Sequence, residues 1–124
     1  MLQRRLLAGC KFLSFTKRLI MLEAIKKIFG MGPKPNYSEL VKNGALIIDV
    51  RSPDEFAQGH VKGAKNIPLE RLTGQLQNLK DKDQPIITCC ASGMRSASAK
   101  GVLKSNGYSQ VYNGGGWQKL DSRL

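Results

Sequence analysis

The chain has 124 residues, room for one domain and one hydrophobic core of ordinary size. Apolar residues make up 41% and charged residues 23%, a balance that speaks against a disordered or membrane-embedded class. The 20 basic and 9 acidic residues give a net charge of +11, yet no basic run interleaved with aromatics follows residue 30. A nucleic-acid partner is therefore not expected, and the diffuse positive balance suits a small anionic substrate or an acidic partner surface.

Residues 1–32 read as a basic amphipathic extension. Arg4, Arg5, Lys11, Lys17 and Arg18 come before any acid, and apolar residues recur at roughly helical spacing from Leu19 to Phe29, with Lys26 and Lys27 left to solvent. Leu6-Leu7-Ala8-Gly9-Cys10 resembles a lipoprotein cleavage box, which would make Cys10 a lipid anchor. Only Leu6, Leu7 and Ala8 separate Arg5 from Gly9, however, whereas a signal peptide needs about 7–15 apolar residues. An acid-poor, arginine-bearing start also matches an organelle transit peptide. No stretch reaches the ~18 apolar residues of a membrane span, so a membrane partner is not expected. The expectation is a cytoplasmic protein, with organelle targeting or lipid anchoring through this segment as the alternatives. Gly30-Met31-Gly32-Pro33-Lys34-Pro35 breaks any helix and marks a boundary, leaving 33–124 as the folded domain.

In that domain Asn36 to Val41 gives cap residues and a short helical pattern, stopped at Asn43-Gly44. Ala45 to Val50 is a continuous apolar run, as in a strand buried on both faces of a parallel sheet. Ser52-Pro53-Asp54-Glu55 starts a short helix, with proline suited to its first turn. A brief strand over Ala64 to Ile67 follows, then a helical pattern from Glu70 to Leu79 and a second buried strand over Pro85 to Cys89. Ser96 to Asn106 reads as a helix packed through Ala97, Ala99, Val102 and Leu103. Tyr108 to Tyr112 is a further strand, and Trp117 to Leu120 begins a closing helix. Strands alternating with helices at this spacing predict an α/β fold with a parallel sheet and helices on both faces.

Three cysteines, two of them adjacent, make a poor disulfide framework and imply a reducing compartment. Cys90 ends a buried strand, and Ala91-Ser92-Gly93-Met94-Arg95-Ser96 leads straight into a helix. In an open α/β sheet ligands bind beyond the carboxyl ends of the strands. A cysteine placed there meets loop amides and the positive end of a helix, which lower a thiol pKa from about 8.5 to roughly 3.5–7.5. Small residues and Gly93 let the loop curl into an anion nest, with Arg95 as a fixed charge for the donor's oxygens and Ser96 as a helix cap or a donor to the thiolate. Cys90 is thus the expected nucleophile, with Ala91 to Ser96 binding the substrate. Cys89 points the other way along the strand and is expected to be inert.

That loop resembles the active-site loop of the rhodanese family. Asp49 to Pro68 (DVRSPDEFAQGHVKGAKNIP) resembles the family's upstream signature, and Val111 to Trp117 (VYNGGGW) its closing strand-to-helix turn. The resemblance runs from about Tyr37 to Leu120 and implies a rhodanese fold, a five-stranded, mainly parallel sheet flanked by helices on both faces. It implies a sulfurtransferase with a Cys90 persulfide, no metal and no organic cofactor. The partners it implies are a small anionic sulfur donor and a thiol or cyanide acceptor. A protein sulfur acceptor, with the chain as persulfide carrier, is the alternative. Four residues separate Cys90 from Arg95, and the related phosphatases and arsenate reductases carry one more. The loop holds no basic residue before Arg95, which alone must offset two substrate charges, and this points to small-molecule or protein persulfides as better donors than thiosulfate.

The remaining polar residues read as structural. Arg51 is a candidate for the pocket rim, although an ion-pair role is favoured, more strongly still for Asp49 and Glu55. His60 is expected to organise a loop rather than act as a base. Phe56 and Trp117 are expected in the core, and Gly114-Gly115-Gly116 as a tight turn.

Overall fold

The computed structural model describes residues 35–124. The expected extension over 1–32, with Cys10 and the 30–34 part of the breaker, lies outside the described residues.

Helix α1 (Tyr37–Lys42) is capped by the Asn36 side chain, which accepts from the Glu39 amide, and strand β1 (Leu46–Asp49) follows. Helix α2 (Pro53–Gln58) opens with a full capping box in which Ser52 and Glu55 each satisfy the other's backbone amide, and with Pro53 at its start. Strand β2 is only Lys65–Asn66. Helix α3 (Leu69–Gln75) runs into a 3-10 turn over Leu76–Asn78. Strand β3 (Ile86–Cys90) is buried at every position, as its unbroken apolar run predicts. Helix α4 (Met94–Ser105), strand β4 (Val111–Gly116) and helix α5 (Trp117–Asp121) complete the order.

The four strands form one parallel sheet in the order β2-β1-β3-β4. From β1 the chain moves outward to β2, and from β3 it moves the opposite way to β4. Right-handed crossovers then place their helices on opposite faces. The two cores follow this division. Ile48, Val50, Ile86 and Cys90 pack with Leu72 of α3 and Ala99 and Leu103 of α4. Ile47, Ile87 and Cys89 pack with Tyr37 of α1 and Leu120 of α5. The central strands β1 and β3 end side by side, Asp49 opposite Cys89, at the point where the chain reverses its direction across the sheet. Ligand sites in open α/β sheets form at that point.

The architecture is the expected α/β one, a parallel sheet with helices on both faces, with differences of detail. A fifth strand, implied by the resemblance, does not form among the described residues, because helices and turns occupy every stretch between the four strands. The last strand begins at Val111 rather than Tyr108. The Tyr108 amide still bonds to Leu103 O, and its buried hydroxyl donates to the carbonyls of Leu79 at 2.6 Å and Leu76 at 3.1 Å. Gly114-Gly115-Gly116 is strand rather than tight turn. Thr88 faces Asn113 and Cys90 faces Gly116, so β4 carries one extra residue, and Gly115 takes a positive φ of 79°. Helix α4 starts two residues early, because Gly93 at φ 104° turns the chain into it, and its packing face is Ser96, Ala99 and Leu103 while Ala97 is exposed.

The glycines of β4 keep the loop after Cys90 close. A Cβ on Gly114 would press on Ile87 Cγ2, Leu120 Cδ2 and Thr88 O, each at 3.0 Å, and one on Gly116 would meet Ala91 O at 3.0 Å. Gly114→Ala should cost about 1–3 kcal/mol, the usual penalty for overpacking a filled core. A urea midpoint equal to that of the unaltered protein would show that β4 can shift to make room.

Candidate active site

Cys90 is the last residue of β3 and is only 1% exposed. Its Sγ lies where the loop turns back on itself, and the Gly93 amide donates to it at 2.9 Å. The amides of Ser92 and Ser96 also act on it, as does the Ser96 hydroxyl, 3.5 Å away. Burial alone pushes this thiol up. The Ser96 hydroxyl and the three amides outweigh that cost, and the net result is a pKa below the ordinary value. The amides that converge on the sulfur are thus those of Ser92, Gly93 and Ser96, three of the six residues from Ala91 to Ser96.

The early start of α4 explains this set. Met94, Arg95 and Ser96 form the first turn of the helix, whose amides have no intrahelical acceptor and carry the positive end of the helix dipole. Ser96 is not a cap. Its hydroxyl donates to Asn113 Oδ1 at 2.6 Å and lies 3.0 Å from Gly93 O, while Cys90 as a thiol donates to it. Deprotonation of Cys90 therefore asks the Ser96 hydroxyl to turn toward sulfur. Asn113 also accepts from the Gly115 amide at 2.9 Å, which fixes its orientation and ties the end of β4 to the reactive loop. The buried Thr88 hydroxyl donates to Ser96 O at 2.9 Å and anchors the helix start from below.

Cys89 has the opposite environment. It faces the other core and is pushed up to about 12 by burial first and by the nearby Asp49 carboxylate second. A thiol in that state is inert near neutrality. Of these two thiols, iodoacetamide should accordingly label Cys90 and spare Cys89, with a rate at Cys90, read by peptide mass, that levels off below the pH ~8.5 midpoint of a free thiol. A rate still climbing through that midpoint would mean that burial outweighs the amides.

The arginines sit differently from the sequence-based expectation. Arg95 was expected to offer a free charge to the donor. Instead its guanidinium grips Glu55 through two parallel bonds, Nη1 to Oε1 at 2.8 Å and Nη2 to Oε2 at 2.9 Å. This pairing holds the Glu55 carboxyl down at about 2, with smaller help from Ser52. Arg51, the candidate for the rim, is buried and held by several partners. Its Nη2 lies 2.7 Å from Asp49 Oδ2 and donates to Gly59 O at 2.7 Å, its Nη1 donates to Glu55 O, and its guanidinium stacks 4.8 Å from the centre of the Trp117 ring. It pins the end of α2 to the end of β1, an ion-pair and anchoring role rather than a place on a pocket rim.

His60 Nδ1 donates to Phe56 O at 2.8 Å, and the two rings stack at 3.7 Å. The histidine thus closes the end of α2, the organising role expected of it. Met94 projects into solvent, 80% exposed, on the rim of the loop. A groove lined by Leu76, Leu79, Lys82 and Tyr108 opens near the starts of β3 and β4, at the other end of the sheet from Cys90. Among the described residues no three His, Cys, Asp or Glu side chains gather into a metal site, and no helix is long and apolar enough to cross a membrane.

A thiol at the carboxyl end of a central parallel strand, with its charge stabilised by a short loop and a helix start, is an arrangement suited to a cysteine nucleophile in an α/β protein. Residues 35–122 match the family model described as the rhodanese-like domain, and the chain belongs to that family. It is 41% identical over 81 residues to a Bacillus subtilis protein named uncharacterized protein YqhL, covering 64% of each chain. It is 40% identical over 74 residues to the thiosulfate sulfurtransferase PspE of Escherichia coli, covering 59% of this chain and 71% of that one. The structure described as rhodanese with anions from E. coli superposes with a TM-score of 0.59 at 36% identity, over 61% of this chain and 91% of the other. The match thus spans just under two thirds of the length of the B. subtilis relative.

Proposed function

We propose that the chain is a sulfurtransferase that moves sulfane sulfur from thiosulfate or a persulfide to cyanide or a thiol through a persulfide on Cys90. The observation that carries this reading is the convergence of the Ser92, Gly93 and Ser96 amides and the Ser96 hydroxyl on Cys90 Sγ. In the first half-reaction the Cys90 thiolate attacks the outer sulfur of thiosulfate. The new S–S bond forms as the donor's S–S bond breaks, and sulfite leaves with the electron pair. In the second, the acceptor attacks the outer sulfur of the persulfide and Sγ departs as thiolate. With cyanide the product is thiocyanate.

Each half-reaction is a displacement at sulfur, and with thiosulfate as donor and cyanide ion as acceptor no proton has to be transferred. A site without a poised base suits that chemistry, and His60 is already bound to Phe56 O. The persulfide moves negative charge outward from Sγ, toward the open first-turn amides of α4, where backbone dipoles stabilise it. The test is direct. Treatment with thiosulfate should raise the intact mass by one sulfur atom, and cyanide should remove it as thiocyanate. A chain that gains no sulfur and releases no thiocyanate would not be a sulfurtransferase.

The carrier reading draws on Met94, whose exposed side chain on the loop rim offers an apolar contact to a partner protein. A carrier would load Cys90 but release sulfur slowly to free cyanide or small thiols.

A further inference from the structure

Building on that sulfur-transfer reading, we propose that Glu55 is a specificity-determining residue: by neutralising Arg95 at the loop it directs the site toward donors whose sulfur rides on an uncharged thiol group, and away from dianionic thiosulfate. The two arginines that flank the reactive strand are both cancelled. Arg51 is paired with Asp49 inside the core, and Arg95 is clamped on both carboxylate oxygens of Glu55. Ala91, Ser92, Gly93 and Met94 add no charge, and the most exposed large side chain of the loop, Met94, is apolar. Arg95 is close enough to Cys90 for the thiolate charge to act on it, so its charge state is felt where the donor reacts. Glu55 adds a full negative charge at the same place, held ionised by that pairing.

The consequences differ between donors. Thiosulfate brings two negative charges to a site whose nearest guanidinium is already matched, and the sulfite that leaves carries both away. A persulfide donor brings one negative charge at most, as R–S–S⁻, and the form a thiolate attacks, R–S–SH, brings none. The Cys90 thiolate attacks its outer sulfur, the Sγ–S bond forms as the R–S bond to that sulfur breaks, and R–S⁻ leaves with the electron pair while the proton stays on the transferred sulfur. For such a donor the Glu55 charge changes little, and Met94 offers a surface for an apolar R group.

Glu55→Gln isolates the charge. Glutamine is isosteric and can still complete the capping box with Ser52, so α2 keeps its start. The measurement is the second-order rate of sulfur loading onto Cys90, followed by intact mass, with thiosulfate and with 2-hydroxyethyl persulfide as donors. Glu55→Gln should raise loading from thiosulfate by about tenfold at low salt and change loading from the persulfide by less than about twofold. The thiosulfate gain should shrink as ionic strength rises, a response that a purely structural role would not give. It should also vanish in Glu55→Gln/Arg95→Gln, which removes the freed cation. Equal changes for both donors, or an unchanged thiosulfate rate, would overturn the assignment of Glu55 while leaving sulfur transfer in place. Failure of either donor to load the unaltered protein would overturn both.

Discussion

Serine in place of Cys90 should abolish sulfur loading, whereas serine in place of Cys89 should leave most of it. Neighbours in sequence, the two thiols differ because alternate residues of a strand face opposite sides of the sheet. Cys90 enters the α3–α4 core side at the mouth of the loop, where amides and the Ser96 hydroxyl bring its pKa below the ordinary value. Cys89 lies among Ile47, Ile87 and Leu120, where burial and Asp49 push its thiol up to about 12. Only the first can be a thiolate near neutrality, and the thiolate is the nucleophile. Serine at 90 keeps the size but removes the polarisable anion, so no persulfide can form. Serine at 89 puts a hydroxyl into a fully buried apolar site and should cost about 1–3 kcal/mol of stability without touching the chemistry. Intact mass after thiosulfate treatment, beside thermal melts of both variants, separates the two effects. Equal loss of sulfur in two folded variants would show that Cys90 is not the sole carrier.

Asp49→Asn should produce the largest loss of stability, about 3–5 kcal/mol, because it strands the Arg51 guanidinium inside the core. Arg51 is 4% exposed and Asp49 fully buried, and their contacts at 2.7 to 3.0 Å hold the guanidinium at the end of β1, from where it bonds the end of α2. A cost of that size is a large share of the ~5–15 kcal/mol that holds a domain folded. Urea denaturation would measure it directly. Replacing both residues with apolar side chains of similar volume should regain part of the loss, since two buried charges are removed together. The recovery would be incomplete, because Arg51 also bonds the carbonyls of Glu55 and Gly59. A loss below about 1 kcal/mol would mean that solvent reaches the pair and screens it.

Much of the fold could be read locally. Strands β1 and β3 are buried on both faces, so Leu46–Asp49 and Ile86–Cys90 lie within unbroken apolar runs. The helix starts at Ser52-Pro53 and Gly93-Met94 carry their own capping and turn chemistry. The candidate site was equally legible, because Cys90, its loop and the first turn of α4 are contiguous in the chain. The extent of β4 was hidden, since glycines carry no side-chain pattern from which a strand can be recognised. Only packing against Ile87, Thr88 and Ala91 reveals why positions 114 and 116 lack side chains.

The partners of the site residues were decided by tertiary structure. Arg95 meets Glu55 across 40 positions, and Ser96 meets Asn113 across 17. No local periodicity encodes either meeting, because it depends on which strand lies beside which. A fixed positive charge was evident from the arginine itself. Whether that charge is free for an anion or spent on a carboxylate was settled by the sheet order, which brings α2, the Cys90 loop and the end of β4 together around one sulfur atom. Sequence alone thus singled out the candidate sulfur, because nucleophilicity follows from a residue type and its immediate backbone. The fold determined the electric field in which it reacts, because Coulomb interactions depend on distance in space and are indifferent to distance along the chain.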